Sequence, residues 1–158
     1  MSSKAFTLIE ILIAITVMTL GIVGFHAAIT RVASLTFFNA DRFVASRLAQ
    51  EGIELVSNIR DTNWVEKTNP DWDDGLTNCL LGCEIDYNDS GFTNWVEPGR
   101  YLKINSNGFY NYQSGENTKF TRKITITPMA DKLKVKVRIT WLGKGSPLEV
   151  EEHLYNWK

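Results

Sequence analysis

The chain has few of the residues from which metal centres and disulfide frameworks are built. Its 158 residues include only two cysteines and two histidines. Cys79 and Cys83 are spaced as C-x-x-x-C and supply only half of the ligands that a structural zinc ion needs. His26 lies in an apolar run and His153 lies near the end of the chain, so neither completes such a site. The cysteines and histidines therefore predict no metal site, and we expect no cofactor.

The familiar catalytic motifs are missing as well. The sequence contains no G-x-S-x-G nucleophile elbow, no phosphate-binding P-loop and no H-E-x-x-H zinc motif. These absences predict that the protein is not an enzyme. An extracytoplasmic enzyme or ligand-binding domain held by an N-terminal anchor is the contrasting class of protein.

Charge is absent from one long segment near the N-terminus. Residues 11–29 contain no Asp, Glu, Lys or Arg. Since roughly 20 apolar helical residues cross a bilayer core of about 30 Å, this segment is long enough to span a membrane. It is longer than the apolar core of a secretory signal and is followed by poor cleavage sites, which indicates a permanent anchor. No second such run follows Arg31, so we expect one anchor and a water-soluble remainder.

Proline is absent between Arg31 and Arg60, and the apolar residues there recur at helical spacing. The pattern predicts one helix from Phe6 to about Arg60, with a membrane half and an amphipathic half. Gly52 falls on the apolar stripe and would allow another backbone to approach the helix closely. The stripe comprises Val44, Ala45, Leu48, Ala49, Leu55, Val56 and Ile59.

One carboxylate interrupts the apolar N-terminal sequence. Glu10 lies in the stretch K-A-F-T-L-I-E-I-L-I-A-I, residues 4–15. A charge at mid-membrane depth costs about 2.5–3.5 kcal/mol on insertion scales, and such residues are usually functional. Either a partner compensates for Glu10, or its side chain reaches the membrane surface.

The stretch F-T-L-I-E, residues 6–10, and its apolar continuation resemble the start of type IV prepilins and type II secretion pseudopilins. In that family a short hydrophilic leader ends just before a phenylalanine, and a glutamate is the fifth residue of the mature chain. Residues 1–5 correspond to the leader, Phe6 to the new N-terminus, and Glu10 is the fifth residue from it. Ala5 stands where the family usually has glycine.

The resemblance implies a processing route and a role for two residues. A membrane prepilin peptidase would cut between Ala5 and Phe6, and the new amine of Phe6 would be methylated. Glu10 of an incoming subunit would then pair with the Phe6 ammonium group of a neighbour and set the axial register of a filament.

The implied function is a structural subunit of a type IV pilus that supports surface adhesion, motility or DNA uptake. A pseudopilin of a type II secretion system is the alternative. The implied partners are other pilin subunits, the inner-membrane assembly platform and, before assembly, membrane lipid, and we expect no direct contact with nucleic acid. The protein would lie in the cytoplasmic membrane before assembly and in an extracellular or cell-surface filament afterwards.

Residues 61–158 are expected to form a globular head. Residues 61–99 are rich in Asn, Asp and Gly and are predicted to be loop. We expect the tryptophans of this region, Trp64, Trp72 and Trp95, to anchor it by packing in the core. Core packing is a commoner role for tryptophan than a sugar-binding platform.

Residues 100–157 show the alternation of apolar and polar side chains that is typical of strands. An Asn107-Gly108 pair predicts a hairpin turn between the first two predicted strands, residues 100–105 and 109–113. The expected fold is α+β, with a long N-terminal helix packed on an antiparallel sheet, which is the pilin architecture. The predicted strands cover residues 100–105, 109–113, 120–127, 133–141 and 148–157.

The last hairpin has a predicted register. Pairing Trp141 with Leu148 places Arg138 opposite Glu151 on the wet face, where opposite charges contribute about 0.2–1 kcal/mol. Glu152 would then point inward, which indicates an edge position or a bulge.

Acidic and basic residues are distributed unevenly along the head. Residues 61–99 contain nine acids and one lysine, whereas residues 119–144 contain eight bases and one aspartate. Two solvated faces of one fold would explain this pattern, and so would complementary surfaces between copies of the chain.

Two short sequence patterns are candidates for a disulfide and for a calcium-binding loop. Cys79 and Cys83 are predicted to form a disulfide, because the head would lie in an oxidising space behind its anchor, and free thiols are the alternative. Residues 86–97, D-Y-N-D-S-G-F-T-N-W-V-E, space oxygen ligands as an EF-hand loop does. Pro98 follows at once, no helices flank the loop, and these are also ordinary turn residues, so calcium binding and a plain turn both stay open.

Overall fold

A computed structural model describes residues 7–66, 71–143 and 145–156. The chain divides into two compact units, Met1–Ala40 and Asp41–Lys158. The leader, the Ala5/Phe6 cleavage site and Phe6 itself lie outside the described residues. Over these residues the architecture is the predicted α+β type, with one long N-terminal helix and an antiparallel sheet of seven strands.

The helix α1 covers Leu8–Glu66 and confirms the single long helix. It is long and apolar enough in its N-terminal part to cross a membrane, by length and composition. Its C-terminal end was predicted wrongly, because the helix continues six residues beyond Arg60.

Tertiary contacts explain the extra turns of α1. Asn63 is buried and its Nδ2 donates to the backbone oxygens of Trp72, at 3.2 Å, and Asp74, at 2.8 Å. Trp64 is buried as well, and the Arg60 guanidinium lies 5.8 Å from its ring centroid. Packing therefore overrides the low helix propensity of this polar stretch.

The strands confirm the pattern in residues 100–157 and add two short strands before it. β1 and β2 lie within residues 61–99, so the prediction of loop throughout that region is wrong at these two places. The bounds are β1 Cys83–Glu84, β2 Thr93–Asn94, β3 Tyr101–Ile104, β4 Tyr110–Asn111, β5 Glu116–Pro128, β6 Lys132–Thr140 and β7 Leu148–Tyr155.

Strand β5 is the centre of the sheet. It pairs with β6 along one edge and with β3 and β1 along the other, and β4 and β2 extend the sheet from β3 and β1. Among the described strands β7 pairs with β6 alone, so it is an edge strand. Glu152 lies on this edge and is exposed, which confirms the edge position expected from its charge.

The register of the last hairpin differs from the prediction by two residues. Ile139, not Trp141, lies opposite Leu148, and Arg138 lies opposite Glu149. The backbone N–H of Trp141 donates instead to the Ser146 hydroxyl at 3.0 Å, so the connection is longer than expected. A shift of two keeps every side chain on its face, which is why hydrophobic alternation alone does not distinguish the two registers.

The core lies between the C-terminal part of α1 and the sheet. Ala45, Leu48, Ala49 and Val56 of α1 are buried, as the predicted stripe requires. At Gly52 the helix backbone approaches the sheet closely, since a methyl group placed on this residue would lie 3.0 Å from a methyl group of Val137. The sheet contributes Ile124, Ile126, Leu133, Val135, Val137 and Ile139 to the same cluster.

Candidate functional site

The first turn of α1 is closed by a capping box formed by Thr7 and Glu10. The backbone N–H and the hydroxyl of Thr7 donate to Oε2 of Glu10 at 3.0 and 2.9 Å. The backbone N–H of Glu10 is 3.4 Å from the Thr7 hydroxyl oxygen, which accepts it. This reciprocal arrangement satisfies otherwise free N–H groups at the helix start. The T-x-x-E spacing before an apolar run carries this signal, and the sequence reasoning missed it.

Glu10 sits at the edge of an apolar helix surface. It shares a shallow surface groove of about 450 Å³ with Ile11, Ala14, Ile15 and Met18. Every residue from 11 to 29 is exposed in the Met1–Ala40 unit. A continuous exposed apolar surface of this kind marks contact with a membrane or with another protein.

Cys79 and Cys83 form the predicted disulfide, and both are buried. The loop that they close is fixed to the sheet, since the Ile126 N–H donates to the Cys79 carbonyl at 3.1 Å. Leu80 and Leu81, within the loop, are 57% and 91% exposed. The loop is therefore rigidly held while its apolar side chains remain in water.

In the candidate calcium loop, residues 86–97, the carboxylates of Asp86 and Asp89 accept hydrogen bonds from backbone N–H groups. Asp86 is buried, and its two carboxylate oxygens accept the backbone N–H groups of Tyr112, at 2.6 Å, and Asn88, at 2.8 Å. Asp89 turns back to accept the Asp86 N–H at 3.0 Å. In the described parts of the chain no group of three His, Cys, Asp or Glu residues is placed to hold a metal ion. The ligand-like spacing thus serves a turn that joins this loop to β4.

The acidic region is not simply a solvated face, as one explanation of the charge pattern held. Besides Asp86, Glu84 is buried, and it accepts the backbone N–H of Arg100 at 2.9 Å and pairs with the Arg100 guanidinium. That guanidinium also lies 4.5 Å from the Tyr112 ring centroid. These acids organise the interior of the head.

Arg122 is the structural residue that sequence reasoning missed, because it was counted with the basic residues of the wet face. It is completely buried beneath α1. Its guanidinium donates to the Leu48 carbonyl at 3.2 Å and to the Ile85 carbonyl at 2.7 Å, and lies 3.2 Å from a Glu51 oxygen. The signal was its position in the strand, since Arg122 lies two residues before Ile124 and four before Ile126 and therefore shares their core-facing side of β5.

The tryptophans anchor the head as predicted. Trp64 is buried and Trp72 packs against the core. Trp95 covers Gly99, where any Cβ would lie 2.1 Å from the indole ring, and the Lys123 ammonium lies 5.6 Å from the ring centroid. The aromatic rings hold loops in place in this fold.

Comparison of the chain with protein-family models, with curated proteins and with solved structures finds no match. The features that bear on function are therefore the start of α1, its apolar surface and the surface of the head.

Proposed function

We propose that this chain is a structural subunit of a type IV pilus or a related filament, anchored in the cytoplasmic membrane before assembly. The observation that carries the proposal is a carboxylate, Glu10, at the beginning of an exposed apolar helix whose continuation packs on an antiparallel sheet. The position of Glu10 relative to Phe6 in the sequence supports the same family.

The physical basis is the burial of two charges in a helix bundle. Cleavage before Phe6 creates an α-ammonium group at the end of the apolar helix. When such helices pack side by side, an unpaired carboxylate and an unpaired ammonium each cost several kcal/mol, and pairing relieves both. A pair between Glu10 of one subunit and Phe6 of the next also selects one axial register, which is the best-attested use of a buried polar group.

The capping box gives Glu10 a partner before assembly. With Thr7 accepting and donating within the same turn, the carboxylate is satisfied in the separate chain. Assembly then exchanges, or supplements, this local contact with the neighbour's ammonium group. The partners of the proposed subunit are other pilin subunits, a prepilin peptidase, an assembly platform and membrane lipid.

The test separates the charge of Glu10 from its capping role. Glu10→Gln keeps a side-chain acceptor that completes a capping box but removes the charge. Glu10→Val removes both, and Thr7→Ala weakens the cap while it keeps the charge. Each variant is expressed as the only copy, and the membrane fraction is compared with sheared surface filaments.

We expect Glu10→Gln and Glu10→Val to be inserted and processed but absent from filaments, because breaking a buried pair costs about 3–5 kcal/mol at every contact. Thr7→Ala should still assemble. If Glu10→Gln enters filaments at the wild-type level, the pairing with Phe6 is wrong and the carboxylate acts as a cap or reaches the membrane surface.

Mass analysis of the N-terminus provides an independent check. The cell-associated protein should begin at methylated Phe6, and a predominant chain that retains residues 1–5 would contradict processing. Abundance in sheared surface filaments supports a pilus. Absence from that fraction, together with loss of protein secretion when the gene is deleted, supports the secretion pseudopilin.

A further inference from the structure

The loop closed by Cys79 and Cys83 presents two leucines to solvent. Leu81 is 91% exposed and Leu80 is 57% exposed. The disulfide and the hydrogen bond from Ile126 to Cys79 fix the loop on the sheet. The loop therefore holds its apolar side chains outward at little further cost in conformational entropy on binding.

The two leucines border a basic groove on the outer face of β5 and β6. This groove, of about 450 Å³, is lined by Leu80, Leu81, Lys123, Lys136 and Arg138, which we call the leucine–lysine surface. A fourth cation, Lys134, lies in the same groove. Apolar and positive groups are thus presented side by side.

Strand β7 neutralises only part of this charge. Glu151 lies 3.0 Å from Lys136 and 3.2 Å from Lys134, and Glu149 lies 3.5 Å from Arg138. Two carboxylates therefore face four cations. The Lys123 ammonium lies over the Trp95 ring and has no carboxylate among the described residues within ion-pair distance. A positive excess remains next to the exposed leucines.

The same chain carries a segment of opposite character. Residues 71–74 have the sequence D-W-D-D, which we call the acidic turn. Two backbone hydrogen bonds of 2.9 Å, from Asp74 to Asp71 and from Leu76 to Asp73, fix its shape. Asp71 is exposed. Trp72, which lies between Asp71 and Asp73 in the sequence, is half-buried. Rigid negative charge beside an aromatic ring matches positive charge beside leucine.

We propose that the leucine–lysine surface of one copy of the chain receives the acidic turn of a second copy. The contact itself is inferred from the complementary charge and apolar character of the two surfaces. Its role in the cell rests on the proposed filament function. The two patches are different surfaces of one chain, so the contact is heterologous and repeats head to tail. A heterologous contact that does not close into a ring generates a helical filament.

The experiment measures self-association of the full chain in detergent micelles, by energy transfer between labelled copies at increasing chain concentration. Leu81→Ser and Lys123→Glu should each raise the apparent Kd about tenfold, because one loses apolar burial and the other places like charges together. Leu142→Ser is the matched control, since Leu142 is 81% exposed but lies outside the leucine–lysine surface, and it should leave the Kd unchanged.

Charge exchange gives the decisive outcome. Asp71→Lys alone should weaken association, and Lys123→Glu combined with Asp71→Lys should restore it to within about threefold of wild type. Unchanged association in both single variants overturns the inference. Association that requires added anionic lipid and does not depend on chain concentration would assign the surface to a membrane, and also overturns it.

The micelle measurement needs no filament, so it separates this inference from the proposed function. Wild-type self-association with no filaments on cells would contradict the filament function alone. Filaments built normally by Leu81→Ser and Lys123→Glu, with unchanged micelle association, would contradict only the contact between heads.

Discussion

Glu51 of α1 and Arg122 of β5 form an ion pair beneath the helix, with 3.2 Å between Oε1 and Nη1. The Arg122 side chain is completely buried, whereas the Glu51 side chain remains 33% exposed. Nη1 also donates to the carbonyl of Leu48 in α1, and Nη2 donates to the carbonyl of Ile85 after β1, whereas the buried Nε has no hydrogen-bond partner among the described residues. One side chain thus connects the helix, the central strand and the acidic loop region.

Removal of Arg122 should destabilise the head strongly. Arg122→Ala leaves a cavity and leaves buried polar groups without their partner, so we expect a loss of about 3–5 kcal/mol in the free energy of unfolding. Urea unfolding of the full chain in micelles, followed by tryptophan fluorescence, measures it, because all five tryptophans lie in the Asp41–Lys158 unit. Arg138→Ala, on an arginine whose side chain is 50% exposed in the same sheet, should cost less than about 1 kcal/mol. Equal effects of the two substitutions would contradict the bridging role.

Gly52 should tolerate no side chain without loss of stability. The methyl group of Gly52→Ala would lie 3.0 Å from Val137 Cγ1 and 3.2 Å from Arg122 Cδ, both in the core. Overpacking of about 1–3 kcal/mol should exceed the helix-propensity gain of about 1 kcal/mol. We expect a net loss near 1 kcal/mol, and a larger loss for Gly52→Leu, in the same urea experiment. Gly21→Ala, at a helix position with no neighbour within 4 Å, should leave the unfolding of the head unchanged, and stabilisation by Gly52→Ala would refute the close contact.

The Cys79–Cys83 disulfide should resist thiol reagents in the native protein. Both cysteines are bonded and buried, so a maleimide should not label the chain until reductant and denaturant are added. Ser106→Cys, at an exposed turn position, supplies a positive control that labels without reductant. Replacing both cysteines by serine should lower stability by about 2 kcal/mol, since the closed loop is short. Efficient labelling of the untreated protein would exclude the bond but not the fold.

Tyr112 should make the head sensitive to alkaline pH. Burial raises the pKa of the Tyr112 phenol far above its usual range. The folded state then keeps a proton that the unfolded chain loses above about pH 10. The contribution of Tyr112 to the free energy of unfolding is therefore complete below that pH and falls by about 1.4 kcal/mol per pH unit above it. Tyr112→Phe should remove this slope, and Tyr101→Phe, on an exposed side chain, should keep it. Unfolding curves between pH 9 and 11.5 measure the difference, and identical slopes in wild type and Tyr112→Phe would contradict the prediction.

Local periodicity was enough for the long helix and for the strands of residues 100–157, but not for the two short strands β1 and β2. The uncharged residues 11–29 and the proline-free continuation predicted one helix, and strict alternation predicted β6 nearly residue for residue. Both patterns depend only on neighbours in sequence, because helices and strands repeat at fixed spacings of about 3.6 and 2 residues. The disulfide was also predictable, because an N-terminal anchor would place the two cysteines in an oxidising space.

Tertiary structure decided the features that depend on distant neighbours. The β6–β7 register differs from the prediction by two residues because hydrophobic alternation is unchanged by an even shift, and the observed pairing is the one that occurs together with the Trp141–Ser146 hydrogen bond. The helix continued past Arg60 because Asn63 found backbone acceptors in a later loop. Arg122 and Asp86 carry charges that composition assigns to solvent, yet each is buried and hydrogen-bonded to backbone groups from other segments. A sequence pattern specifies which face a side chain occupies, whereas the partners that make a buried charge stable exist only once the chain has folded.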